Sequence, residues 1–223
     1  MKSGFAKTLF LFLLGFLCVQ NSYSQKFQHS IHGGANLPIA GYDFKAGVTL
    51  MYEFEFALNK YFALGISPTF NMVFYNTSIY DVVGTTISFE KEMDIASYVP
   101  SLTLYPKIYI PISDKLSLFA SCGISGYKSS STADLMTVDY LTSEVDIKRY
   151  KSGSMIRLGI DASVGLLLDY SDKFDLIGKL SWSSADVGNS MNSLEFNGDW
   201  PGLNFKSSII SATVGIAFPL FHK

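Results

Sequence analysis

Cysteine is nearly missing from this chain of 223 residues, which holds two, Cys18 and Cys122. With Cys18 inside a leading apolar segment, Cys122 has no partner in the remainder, and no internal disulfide framework can form. Histidine is scarce too: His29, His32 and His222 are the full set, a poor basis for a metal centre. Charged residues make up 16% of the chain, 17 basic against 19 acidic, for a net charge of -2. That balance argues against nucleic acid as a partner. Beyond residue 24 no apolar run reaches the roughly 18 residues that would suggest a membrane-spanning helix. A phosphate-binding loop, a cysteine cluster and a nucleotide fingerprint are all absent.

Apolar residues are nevertheless abundant, at 48% hydrophobic and 15% aromatic. Some of them lie in a leader. Lys2 and Lys7 precede an apolar run over residues 9–19, and Ser22, Tyr23 and Ser24 supply a cleavage region. This is the layout of a secretory signal peptide, too short to span a bilayer. The expected division is a signal peptide over 1–24 and one domain over 25–223. Cys18 follows the bulky Leu17, which speaks against a lipid anchor. Losing Lys2 and Lys7 and no acid leaves 15 basic residues against 19 acidic, a charge of about -4.

The rest of the apolar content alternates. Within residues 97–127, Tyr98, Pro100, Leu102, Leu104, Pro106, Ile108 and Ile110 share one parity, opposite mostly Ser, Thr, Tyr and Lys. After a turn through Ser113, Asp114 and Lys115, a second arm repeats the pattern with Leu116, Leu118, Ala120, Cys122 and Ile124. Side chains alternate across a strand, so this is a long hairpin with one apolar face. The same period runs over 25–37, 47–58, 62–77, 155–170, 174–183 and 205–221, for eight expected strands. Short links at 59–61, 111–115 and 171–173 alternate with longer ones at 38–45, 78–96, 128–154 and 184–204. Transmembrane β-barrels combine an even strand count with short turns at one end and long loops at the other.

A soluble barrel would point its apolar face inward. Here the polar face is small, mostly Gly, Ala, Ser and Thr, which suits a tightly filled eight-stranded interior and not a water-facing surface. The expected fold is therefore all-β, an eight-stranded antiparallel up-and-down transmembrane barrel with its apolar face toward lipid. The few charges of the other face become lumen residues: Glu53, Glu55, Lys107, Arg157, Asp161, Asp169 and Lys179. Acid and base roughly balance there, which favours a packed polar plug over a pore. Pro68, Pro100 and Pro106 fall on the lipid-facing parity, where a residue without an N–H predicts bulges or strand ends.

Val99-Pro100-Ser101-Leu102-Thr103-Leu104-Tyr105-Pro106-Lys107, followed by Leu118-Phe119-Ala120-Ser121-Cys122-Gly123 and Gly126-Tyr127, resembles the outer membrane protein β-barrel family of Bacteroidota, the PorT-like group. Leu158 to Gly165 with the turn Tyr170-Ser171-Asp172-Lys173 is similar to that family's next hairpin. The resemblance implies a small outer-membrane barrel and no catalytic residues. It also implies contact with the outer-membrane assembly machinery, which reads a terminal aromatic. Here Phe218 and Phe221 stand near the end, with His222 and Lys223 after them.

Enzymatic chemistry finds little support. Lipid-modifying barrels need a histidine beside a serine or acid. Ser30 and His32 share a face and form the one such pair, with lumen filling as the simpler reading. His29 and His32 differ in parity and cannot share a metal. Asn197-Gly198-Asp199 is read as a turn before a calcium loop. No cofactor or metal site is expected. The long loops are the expected carriers of function, with Phe196, Trp200 and Leu203 as exposed contact candidates. Expected partners are outer-membrane lipids and lipopolysaccharide, the assembly machinery and an envelope protein. The first functional expectation is a non-enzymatic, exported, integral outer-membrane barrel acting through its loops. The alternatives are a narrow pore or transport accessory and, less favoured, a lipid-modifying enzyme.

Overall fold

The computed structural model describes residues 26–39, 44–83, 86–171, 173–201 and 203–219. The expected signal peptide and the tail from residue 220 lie outside the described residues. Among the described residues nine strands are present: β1 (Lys26–Ile39), β2 (Phe44–Asn59), β3 (Phe62–Val83), β4 (Thr86–Pro111), β5 (Leu116–Asp139), β6 (Glu144–Lys151), β7 (Met155–Ser171), β8 (Phe174–Ser183) and β9 (Ser208–Pro219). Every strand pairing is antiparallel, and eight strands close a ring in the order β1-β2-β3-β4-β5-β7-β8-β9, with β9 returning to β1. The ninth strand, β6, stands outside the ring and pairs with the far half of β5, from Thr132 to Asp139.

The ring closes because each stave alternates with the right chemistry. Outward residues such as Ile124, Leu158 and Val214 are 67%, 81% and 73% exposed, whereas inward Thr49, Glu53 and Ser125 are fully covered. An apolar exterior on a closed sheet is stable only in hydrocarbon, where closure leaves no unpaired edge. The chain is a transmembrane β-barrel. Among the described residues no helix is long and apolar enough to cross a membrane, so the strands do the crossing.

Proline is accommodated without the expected bulges. The β3–β4 ladder runs unbroken through Pro68, Pro100 and Pro106. Pairing to β5 skips from Tyr98 to Ser101 and from Leu104 to Lys107, with equal numbers of residues on both strands. Likewise β2–β3 pairing skips from Met51–Thr69 to Phe54–Ile66 at Pro68. Each missing N–H therefore falls on one side of its strand and interrupts one ladder only.

The staves differ greatly in length, and here the sequence expectation needs correction. Residues 78–83, 86–96 and much of 128–154 are not loops. β3, β4 and β5 run to 22, 26 and 24 residues and rise past the barrel mouth, where β6 joins them as a four-stranded blade. A polar outward face made these segments read as loops. Their inward face turns apolar instead, with Tyr75, Met93, Ile95, Ala133 and Leu135 buried.

What buries them is the β8–β9 connector, residues 184–207, which crosses the mouth and includes the short helix α1 (Gly188–Met191). Met191, Leu194, Phe196, Trp200 and Phe205 pack against the blade's inner side. Phe196 and Trp200 are thus 4% and 7% exposed, core residues and not the contact surface expected of them, and Leu203 packs against the same cluster. Two side chains brace the connector. Asp186 accepts hydrogen bonds from the amides of Gly188 and Ser207 at 2.9 and 3.0 Å. Asn192 exchanges two bonds of 2.8 Å with the backbone of Phe205. Asn197 and Gly198 adopt positive φ in the turn that ends at Asp199, whose amide donates to the Phe196 carbonyl at 2.8 Å. That turn presents Asp199 to the blade: its carboxylate accepts from Tyr150 Oη at 2.6 Å and Lys148 Nζ at 3.1 Å, and its carbonyl from Lys91 Nζ at 2.7 Å.

Truncating Trp200 to Ala should remove about 3–5 kcal/mol of packing from the covered mouth. Hydrogen exchange should speed up at Met93 and Ile95, while the unheated barrel keeps its fast gel migration. The Tyr150 and Lys148 bonds hold the Asp199 carboxyl below its ordinary range. A depressed folded-state value means that the anchor is fully present above about pH 4 and is lost as the pH falls through that depressed value. In a Trp182→Phe background, acidification should red-shift Trp200 fluorescence, and Asp199→Asn should remove this pH dependence.

Candidate functional site

Along the barrel axis the inward side chains form layers of different chemistry. Nearest the short turns, Phe119, Ile177 and Ala217 make a small apolar floor with Tyr109 and Leu167. Above it lies a belt of opposite charges. Glu53 meets Lys179 in a close ion pair, Lys107 Nζ at 3.3 Å and His32 Nε2 at 3.4 Å. Glu55 closely accepts from Lys107, and also from Tyr105 Oη at 3.1 Å and Tyr109 Oη at 2.5 Å. The Lys107 ammonium sits 4.3 Å from the Phe119 ring centroid. Two carboxylates and two ammonium groups leave the belt without excess charge, and each finds partners inside a wall that excludes water.

Next comes a layer of hydroxyls and amides. Asn36 Nδ2 donates to Thr49 Oγ1 at 3.0 Å, Thr49 donates to Asn71 Oδ1 at 2.6 Å, and Thr49 also reaches Ser211 at 3.2 Å. A cavity of about 40 Å³ lies among Ser67, Thr69, Ser101, Thr103 and their neighbours, room for no more than a few waters. Above that, Val73, Val99, Tyr127, Ala185, Val187 and Ile209 seal the bore, and the blade core follows.

The belt brings together Glu53, Glu55, Lys107 and Lys179 of the seven residues expected in the lumen. Asp161 lies higher, half-buried, where Thr103 donates to its carboxylate in the hydroxyl layer. Arg157 and Asp169 stand outside the network. Both are exposed at opposite ends of β7, Arg157 beyond the last β7–β8 pair and Asp169 beside the turn into β8. Parity assigned them to the inner face, but β7 is inward only where both neighbouring strands flank it.

Three further side chains join the belt: Tyr105, which the sequence did not single out, and His32 and Tyr109, whose lumen-facing parity was legible but whose charged partners were not. For Tyr105 and His32 the signal was parity combined with glycine. A Cβ on Gly65 would lie 2.4 Å from the Tyr105 ring, and one on Gly215 would lie 2.5 Å from His32 Nδ1. Large inward rings therefore require bare backbone opposite them, and a paired large and glycine position can be seen only once register is known.

Ser30 and His32 do meet, Oγ to Nε2 at 2.7 Å. Glu53 approaches the same nitrogen, and Nδ1 has no hydrogen-bond partner. A nucleophile relay needs the serine and the acid on different ring nitrogens. His32 is also 1% exposed, so the trio acts as filling.

Outside the barrel, the blade's outer face carries a second grouping. Glu92, Met136 and Ile147 are successive register partners across β4, β5 and β6, as are Glu90, Val138 and Val145. Val145 and Ile147 are 60% and 65% exposed. Tyr140 Oη donates to Glu90 at 2.6 Å, and Asn76 Nδ2 donates to Glu92 and Asp94 at 2.8 and 2.7 Å. Arg149 forks onto Asp134 at 2.6 and 2.9 Å, which leaves Glu90, Glu92 and Asp94 as a carboxylate column beside the apolar pairs.

No protein-family model matches the chain, and no curated protein matches it. Solved structures with a similar shape include a major outer membrane protein from Thermus thermophilus, 17% identical over 87% of this chain and 99% of that one, TM-score 0.48. OprG from Pseudomonas aeruginosa is 12% identical over 90% and 98%, TM-score 0.48. Ail of Yersinia pestis, solved with the heparin analogue sucrose octasulfate, is 13% identical over 89% and 100%, TM-score 0.44.

Lys107→Met removes one cation from two buried carboxylates and should destabilise the barrel by about 3–5 kcal/mol. Adding Glu55→Gln should recover part of that loss, as read by urea unfolding in lipid vesicles. Full additivity of the two changes would show that the belt is not coupled.

Proposed function

We propose that this protein is a sealed, non-enzymatic outer-membrane barrel that holds a β-blade outside the membrane as a contact platform for an envelope protein. A transmembrane ring with three short turns at one end and a tall structured crown at the other suits the asymmetric outer membrane. The general secretory route is proposed from the leader over residues 1–24. The observation that carries the platform reading is the outer-face cluster of exposed Val145 and Ile147 with half-buried Met136 and Val138, beside the carboxylates of Glu90, Glu92 and Asp94. Apolar side chains held on a rigid sheet in water mark a surface with a partner. The adjoining acids favour a partner that brings basic groups. The contact role thus falls on a sheet and not on loops, because residues 78–83, 86–96 and much of 128–154 are strands.

The pore alternative conflicts with the filled lumen, where a neutral ion-pair belt and two apolar layers stand in series. Refolded protein in planar bilayers should show no steady conductance, and robust conductance would overturn the sealed reading. A photo-crosslinking residue at position 147 in living cells should yield a discrete protein adduct that Val145→Glu suppresses. One at position 124, on the lipid-facing wall, should not. Equal adducts at both positions would sink the platform.

A further inference from the structure

Small outward residues interrupt the bulky lipid-facing wall at several places, and one such place on β5 ends at a cation. There Cys122, Ile124 and Gly126 form the floor between Leu104 and Pro106 on β4 and Leu158 and Ile160 on β7, an open groove of about 660 Å³ with small residues on either side of Ile124. That volume is in the range of about 300–1,000 Å³ typical of ligand pockets. No atom lies within 4 Å of where a Cβ on Gly126 would stand, so neighbouring side chains do not reach in to close the space. Pro106 also interrupts the β4–β5 ladder at this floor.

The groove does not end in more grease. The next outward position on β5 after Gly126 is Lys128, which is exposed and opposite Ile156 on β7. Among the described residues Lys128 has no ion-pair partner. One step further, Ser130 stands opposite Tyr98, whose ring lies 6.3 Å from that of Phe70, an aromatic level typical of a membrane boundary. Lys151 follows at the level of Thr132. The nearest outward carboxylates on these strands are Asp94 and Asp134, opposite each other six residues above Lys128, or about 20 Å along the strand. Asp134 is already bound by Arg149.

We propose that this groove is a binding site for an anionic lipid of the outer leaflet, with one acyl chain lying between the β4 and β7 ridges and a phosphate-bearing headgroup on Lys128. The occupant follows from the site's two ends: a hydrocarbon-shaped trough within the membrane wall and an unpaired cation where that wall meets water. The leaflet assignment rests on the outer-membrane placement above.

Native mass spectrometry of the full barrel refolded in non-ionic detergent tests the site. The probes are lysophosphatidylglycerol, lysophosphatidylcholine with the same acyl chain, and inorganic phosphate. The anionic lipid should be retained about fivefold more readily than the zwitterionic one, the preference expected of one basic side chain near an anionic headgroup. Lys128→Glu should abolish that preference, and Lys128→Gln should reduce it. Gly126→Leu, which fills the groove without a clash, should weaken retention of both lipids, and heat-modifiable migration checks that each variant is folded. Equal retention of the two lipids, indifference to Gly126→Leu, or displacement of lipid by millimolar phosphate would each overturn the proposal. Envelope fractionation reads the membrane placement separately. Recovery in the outer membrane without headgroup preference defeats only the lipid site, and recovery elsewhere defeats the placement.

Discussion

A backbone amide in hydrocarbon has no water to bond, and nearly every large feature of this protein follows from that. Eight strands satisfy one another only if the last returns to the first, as β9 does to β1 over twelve register pairs. Closure then dictates an inside and an outside with opposite demands, apolar outward and space-filling inward. Even proline is held to the rule. Pro68, Pro100 and Pro106 each keep one ladder intact and open a short gap in the other.

The interior shows how a narrow barrel fills itself. An eight-stranded ring leaves space for side chains and little else. Apolar filling through the whole bore would make both faces of every strand greasy and erase the alternation that distinguishes lipid side from lumen side. Polar filling preserves that distinction but requires every buried group to find a partner. The carboxylates and ammonium groups of Glu53, Glu55, Lys107 and Lys179, with the hydroxyls of Tyr105 and Tyr109, meet the requirement in a neutral cluster, and His32 joins it through Nε2 alone. Apolar floors above and below it separate the belt from water at both ends.

Beyond the membrane the chemistry of the two faces inverts while the strands continue. On β4 the inward series reads Lys107, Tyr105, Thr103 and Ser101 within the barrel, then Ile95 and Met93 above it. The outward series runs from Ile108 and Leu104 to Asp94, Glu92 and Glu90. This inversion is why residues 78–96 looked like a polar loop: a pattern tuned to lipid outside and polarity inside stops matching at the waterline, although the strand period persists. The connector from Ala185 to Phe205 supplies the other half of the new core. Its Trp200 and Phe196 looked like surface residues because nothing in a Gly- and Asn-rich stretch states what it will cover.

Alternation by itself determined the number of ring strands, their sense, the three short turns and which parity faces lipid, because a period of two is a local property of the backbone. It also picked out the four residues that build the charged belt. Which charges meet was decided by tertiary structure. Arg157 and Asp169 share the inward parity but lie where β7 lacks a flanking strand or nears its turn, and they stay outside the belt. His32 and Tyr105 join it because Gly215 and Gly65 on other strands leave room for their rings, and Tyr109 joins it through its bond to Glu55. Register across strands and the path of a connector over the mouth are long-range facts. They depend on which residues stand opposite one another once the ring has closed, and no single strand carries that information.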